Sequence, residues 1–113
     1  MSEDCLQVTV SASSREEADR LAGSAVESRL AACAQVLGPI RSTYWWEGRV
    51  EQAEEWLCLF KTTRARYLEL EAHLRGLHSY DNPEIIAVPA AAASEDYLAW
   101  LHAETDARTR EPT

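Results

Sequence analysis

The chain has 113 residues, 46% hydrophobic and 27% charged, enough for one modest core and one domain spanning 1–113. Nineteen acids against 11 lysines and arginines give a formal charge of −8, which argues against nucleic acid or anionic lipid as a partner and favours cations. The longest apolar runs are much shorter than a bilayer span and the first residues, Met1-Ser2-Glu3-Asp4, carry no basic or secretory signal, so a cytoplasmic protein without membrane insertion is expected.

Residues 5–11 alternate around Val8, Thr9 and Val10 and predict a first strand. Ser13-Ser14 followed by Glu16-Glu17 is a capping-box start, and Ala18, Leu21, Ala22, Ala25, Val26 and Leu30 then recur at helical spacing. That helix is expected to end near Leu30. Residues 32–46 read as a strand broken at Gly38-Pro39, where the missing proline N–H predicts a bulge or an unpaired edge. Glu47-Gly48-Arg49 is the predicted turn. The return arm, residues 50–62, puts Trp56, Cys58 and Phe60 on one face and Leu57, Leu59 and Lys61 on the other.

A second helix is predicted over residues 65–77, ended by His78-Ser79-Tyr80-Asp81-Asn82-Pro83. Residues 84–89 form a short last strand. A third helix, capped near Ser94, carries Tyr97, Leu98, Trp100 and Leu101, and a polar tail is expected from about 104 to 113. The order β-α-β-β-α-β plus a helix predicts an α+β, ferredoxin-like antiparallel sheet with an extra C-terminal helix.

Two arms of about 12 residues at about 3.3 Å each reach roughly 40 Å, against a radius of gyration of about 13 Å for a compact domain of this size. The hairpin should therefore overhang its own core. Tyr44, Trp45, Trp46 and Trp56 on that arm would sit in water unless a second chain covers them, and they are the candidate oligomer interface. Closed symmetry among identical chains is the simplest solution.

Taken together, Leu30-Ala31-Ala32-Cys33, the run Ser42-Thr43-Tyr44-Trp45-Trp46-Glu47-Gly48, Glu55 through Lys61-Thr62-Thr63, His78-Ser79-Tyr80-Asp81-Asn82-Pro83-Glu84-Ile85 and Tyr97-Leu98-Ala99-Trp100 resemble the CutA family of divalent-cation tolerance proteins. The resemblance covers nearly the whole chain. It implies a ferredoxin-like homotrimer shaped like the P-II signalling proteins, with links to copper and other divalent metals. The family commonly has proline where Ser79 stands, glycine where Ala93 stands and asparagine near Gln35. Ser79 restores a backbone donor that proline lacks.

Imidazole and carboxylate gather in the loop holding His78, Tyr80, Asp81 and Glu84, and Cys33 supplies a soft donor that the resemblance brings near. His78, Glu84 and Cys33 are therefore the candidate ligands for Cu2+ or another divalent metal. The structural alternative is that His78 caps the second helix and Glu84 pairs with a lysine or arginine. Lys61, Tyr80 and Trp46 are candidates for a small ligand held between subunits, as a P-II-like signalling trimer would require. Lys61 would otherwise pair with Glu55, Glu84 or an anion. Glu47, Glu51, Glu54 and Glu55 attract cations loosely or form a solvated acidic face.

Cys5, Cys33 and Cys58 lie 28 and 25 residues apart, with no CxxC pair, and at least one must be free. Each sits in an apolar strand context that suits a small buried hydrophobe. No GxSxG, HExxH, phosphate-loop or dinucleotide pattern occurs, so a non-catalytic binding protein is expected.

Overall fold

In the computed structural model, which describes residues 4–106, the elements follow the order read from the sequence. They are β1 (Cys5–Ala12), α1 (Arg15–Glu27), β2 (Cys33–Trp46), β3 (Arg49–Thr63), a 3₁₀ turn (Arg64–Arg66), α2 (Tyr67–Leu77), β4 (Ile85–Pro89) and α3 (Glu95–Thr105). All strand pairs are antiparallel, in the order β2-β3-β1-β4.

Side chains alternate across this sheet and divide it into two unlike faces. Val8 and Val10 of β1 lie opposite Phe60 and Cys58 of β3 and face the helices. There they pack with Ala18, Leu21 and Ala25 of α1 and Leu70 and Leu74 of α2, forming the main core. The other face carries Leu37, Leu57, Leu59, Ile86 and Val88, of which Leu37, Ile86 and Val88 are exposed. Among the described residues only its end is roofed, where α3 brings Leu101 and Leu98 to the cluster of Cys5 and Ala32.

Local signals set the helix starts. Ser14 Oγ accepts the Glu17 N–H at 3.1 Å, and Ser94 Oγ accepts the Tyr97 N–H at 3.3 Å. The helix ends depend on distant partners. α1 stops at Glu27 rather than near Leu30, because Arg29 turns left-handed at φ 65° and its guanidinium bridges to Glu104. Leu30 is still buried, with its carbonyl accepting the Thr62 hydroxyl at 2.6 Å. The same bridge holds Glu104 and Thr105 in α3, where a polar tail was expected to begin; the rest of that expected tail, 107–113, lies outside the described residues.

At the hairpin, Glu47 and Gly48 both take positive φ, 49° and 78°, between the opposed Trp46 and Arg49. Two such residues match the right-handed strand twist. The predicted break at Gly38-Pro39 is a register shift between Leu37 and Ile40, with a cis peptide at this proline.

The molecule measures 48 × 32 × 21 Å, with a radius of gyration of 14.9 Å, longer than the roughly 13 Å of a compact chain of similar size. The excess is the β2–β3 arm. At its tip Trp45 is 74% exposed and Trp46 59%. Trp56 behaves differently, because it belongs to the helix-facing set and packs partly buried against the core.

Candidate functional site

The loop after α2 folds back onto the N-terminal end of α1. His78 is the C-cap of α2, its backbone N–H reaching the Leu74 carbonyl at 2.9 Å. Its ring takes no part in that cap. Nε2 lies 2.7 Å from the Ser11 carbonyl, which can only accept, so Nε2 carries the proton. Nδ1 accepts the Tyr80 N–H at 3.0 Å. These partners assign a neutral imidazole with both nitrogens occupied and a side chain closed to solvent.

Glu17 is the second centre of this corner. It reaches past the N-cap Ser14 to accept the Ser13 N–H at 3.2 Å and the Ser13 hydroxyl at 3.0 Å, and its other oxygen takes the Ser79 N–H at 2.8 Å. The last bond uses the donor that proline at position 79 would lack. Burial works to raise the carboxyl pKa, but the bonds from Ser79 and Ser13 outweigh it and hold the group at about 2. His78 Nδ1 is 3.7 Å away, too far for a hydrogen bond.

Tyr80 leans on the His78 ring, with centroids 4.8 Å apart, and donates its hydroxyl to Glu55 Oε2 at 2.7 Å. Burial, this bond and the Glu55 charge push the phenol well above its ordinary range. It is a neutral donor at any physiological pH. Glu55 is thereby committed to Tyr80 rather than to Lys61.

Glu84 is exposed immediately before β4, at the same end of the sheet. Cys33 is not. It pairs with Lys61, which pairs with Gln7, whereas the His78 acceptor Ser11 lies four residues further along β1. Four residues correspond to about 13 Å. The Cys33 sulfur instead meets the Tyr97 hydroxyl at 3.5 Å, at the end of the sheet that α3 covers. One chain therefore gathers His78, Tyr80, Glu17 and Glu55, with Glu84 near, and leaves Cys33 apart. Among the described residues, no three His, Cys, Asp or Glu side chains are placed together to hold a metal ion.

Lys61 meets neither carboxylate expected for it; its Nζ donates to Gln35 Oε1 at 2.7 Å. Trp46 is at the arm tip, far from Tyr80 and Lys61 in register. Two shallow grooves occur elsewhere: about 360 Å³ between Pro39, Arg41, Gln52 and Glu54, and about 400 Å³ between Arg29, Ala32, Trp100 and Glu104. Neither is lined by His78 or Lys61.

Sequence reasoning missed Glu17 and Tyr97 as members of these clusters. The capping box marked Glu17 only as a helix-start residue, and nothing local signals its bond to Ser79, 62 residues away.

Residues 6–104 match the family described as CutA1 divalent ion tolerance protein. The chain is 44% identical over 86 residues to a divalent-cation tolerance protein CutA of Pectobacterium atrosepticum, covering 76% of this chain and 78% of that one. Among solved structures, CutA from Xylella fastidiosa superposes with a TM-score of 0.89 at 32% identity, covering 91% of this chain and 99% of that one. CutA from Archaeoglobus fulgidus, described as periplasmic, gives 0.87 at 33% identity, with 90% and 99% covered.

Proposed function

The chain belongs to the CutA1 divalent ion tolerance family, and from that premise we propose that it works without catalysis as a homotrimer that takes up divalent cations, copper first among them. The observation that carries this reading is the bare apolar ribbon: an exposed Trp45-Trp46 tip continuous with a sheet face on which Leu37, Ile86 and Val88 are exposed among the described residues. Such a surface suits burial between copies of the same chain. Tyr44, Trp45 and Trp46 supply that contact, and Trp56 backs the arm from the core side.

For the metal, cargo rather than resident cofactor, His78 and Glu84 are the donors at one end of the sheet, and Cys33 joins them only from a neighbouring subunit. Glu84 offers a solvent-facing carboxylate. The His78 imidazole becomes a ligand only by giving up the Ser11 carbonyl, so capture is coupled to movement of the 78–84 loop. Three free thiols favour a reducing compartment such as the cytoplasm.

Calorimetric titration of the metal-free, reduced protein with Zn(II), beside Cu(II), tests this. Saturable binding that weakens in Glu84→Gln and His78→Ala is expected. Binding no tighter than to an unrelated acidic protein rejects the cation role. A thermal-shift response to a metabolite in place of metals would instead support the P-II-like signalling alternative, which draws on Lys61, Tyr80 and Trp46.

A further inference from the structure

The start of α2 holds a buried charge that the candidate site does not use. β3 ends at Thr63 and passes through the 3₁₀ turn Arg64–Arg66 into α2, whose N-cap residue is Arg66. Arg64 and Ala65 are exposed, whereas Arg66 keeps only 9% of its surface in water. Among the described residues neither the turn nor α2 receives a side-chain cap, so the N–H groups of this helix start look for other acceptors.

The Arg66 guanidinium lies alongside the first turn of α2. Its Nη1 is 3.0 Å from Oε1 of Glu69, the third residue of the helix. Glu69 is half exposed, and water screens its hold on the charge. Nε and Nη2 are closed to solvent and have no hydrogen-bond partner among the described residues. These two nitrogens form the side-on edge of the guanidinium, whose parallel N–H bonds match two oxygens of a carboxylate or phosphate group. Trp56 Nε1 is likewise buried without a partner there, but it is neutral. An unpaired buried donor is costly, and more so when it carries charge.

We propose that the Nε–Nη2 edge of Arg66 and the N-terminal turn of α2 together bind a small oxyanion, a phosphate or carboxylate group with two oxygens on one centre. The guanidinium supplies charge and paired donors, and the helix start adds its partial positive charge. Both act on one place, because the contact with Glu69 holds the guanidinium against that turn. Glu69 keeps the Nη1 side, so the anion takes the opposite edge. The exposed Arg64–Ala65 stretch, held in weaker 3₁₀ geometry, is the part of this corner that moves to admit it. The site goes beyond the divalent-cation reading, whose donor His78 caps the other end of α2.

Titration of the isotope-labelled wild-type protein with inorganic phosphate, against sodium chloride at equal ionic strength, tests this through the arginine Nε–H resonances. A saturable shift of the Arg66 resonance, assigned through its own backbone, is expected. Calorimetry should show phosphate affinity about tenfold or more weaker in Arg66→Lys, which keeps the charge and loses the paired donors. Arg75→Lys, in the last turn of α2, should bind as wild type does. Acetate is the second probe: preference for phosphate assigns phosphoryl ligands, and equal binding extends the site to carboxylates. Wild-type affinity in Arg66→Lys, or a phosphate response no larger than that to chloride, overturns the proposal. Should Arg66→Lys fail to fold, the wild-type spectrum decides, and an Arg66 Nε–H unmoved at the highest phosphate concentration overturns it. Zn(II) titration reports on the cation reading separately.

Discussion

Glu17→Ala is expected to cost about 3 kcal/mol of stability at neutral pH and to remove most of the protein's sensitivity to acid in the carboxylate range. The buried carboxylate accepts three hydrogen bonds, from the Ser13 N–H, the Ser13 hydroxyl and the Ser79 N–H. Truncation leaves those donors without their acceptor beside the closed His78 ring. The pKa gives the same scale: a group held at about 2 instead of 4.5 corresponds to about 3 kcal/mol of preference for the ionised form in the folded state.

The direction follows from the depressed value. Stabilisation by Glu17 is complete above its unfolded value of 4.5, shrinks as pH falls and is gone once pH drops below about 2. Urea unfolding of wild type and Glu17→Ala at one protein concentration, from about pH 6 to pH 2, checks this. The two curves should be about 3 kcal/mol apart at the top of the range and converge at the bottom. A constant gap across the range would mean that the carboxylate charge contributes nothing beyond packing.

Gly38→Ala is the second large effect. A Cβ at position 38 would stand 2.5 Å from Trp56 Cδ1 and 2.7 Å from Cγ, distances that force the indole or the bulge to move. The ring atoms involved are near its root, and the ring is packed against the core, so it has little freedom to swing away. Overpacking of this kind costs about 2–3 kcal/mol. Trp56→Phe alone should also destabilise, but the pair Gly38→Ala/Trp56→Phe should be less damaging than the sum, by about 1 kcal/mol or more. Strict additivity would show that the two sites do not collide. A Gly38→Ala protein within about 0.5 kcal/mol of wild type would show that the bulge absorbs the methyl group freely.

Much of this architecture was legible because its signals are local. Ser14 and Ser94 cap the helices that their neighbours announce, and Glu47-Gly48 turns the hairpin where the β-prone arms meet. Alternation along β3 separated Trp56, Cys58 and Phe60 from Leu57, Leu59 and Lys61, as the two faces of the sheet show. What was not legible depends on pairs far apart in sequence. Arg29 and Glu104 decide where α1 ends and how far α3 runs. Gln35 takes Lys61, Glu55 takes Tyr80, and Ser11 takes His78, none of which residue type or spacing can specify.

The candidate site divides the same way. Its 78–84 loop stands out as a short run of imidazole, phenol and carboxylate, and the structure keeps His78 and Tyr80 in contact. Cys33 is separated because strand register sets its row, level with Gln7 and four residues along β1 from the Ser11 that holds His78. A composition of possible ligands lists donors without saying how far apart along a sheet they stand. The departure at Ser79 was legible as a freed N–H, and the carboxylate that takes it became evident only when α1 and the loop met.

Sedimentation velocity at micromolar concentration tests most directly whether this chain is completed by copies of itself. A single species near three times the protomer mass of 12.7 kDa is expected, with Trp45→Glu/Trp46→Glu shifting it toward smaller species. A stable, folded 12.7 kDa particle in the wild-type protein would contradict the account, because the Trp45-Trp46 tip and the Leu37–Ile86–Val88 face would then rest in water uncovered.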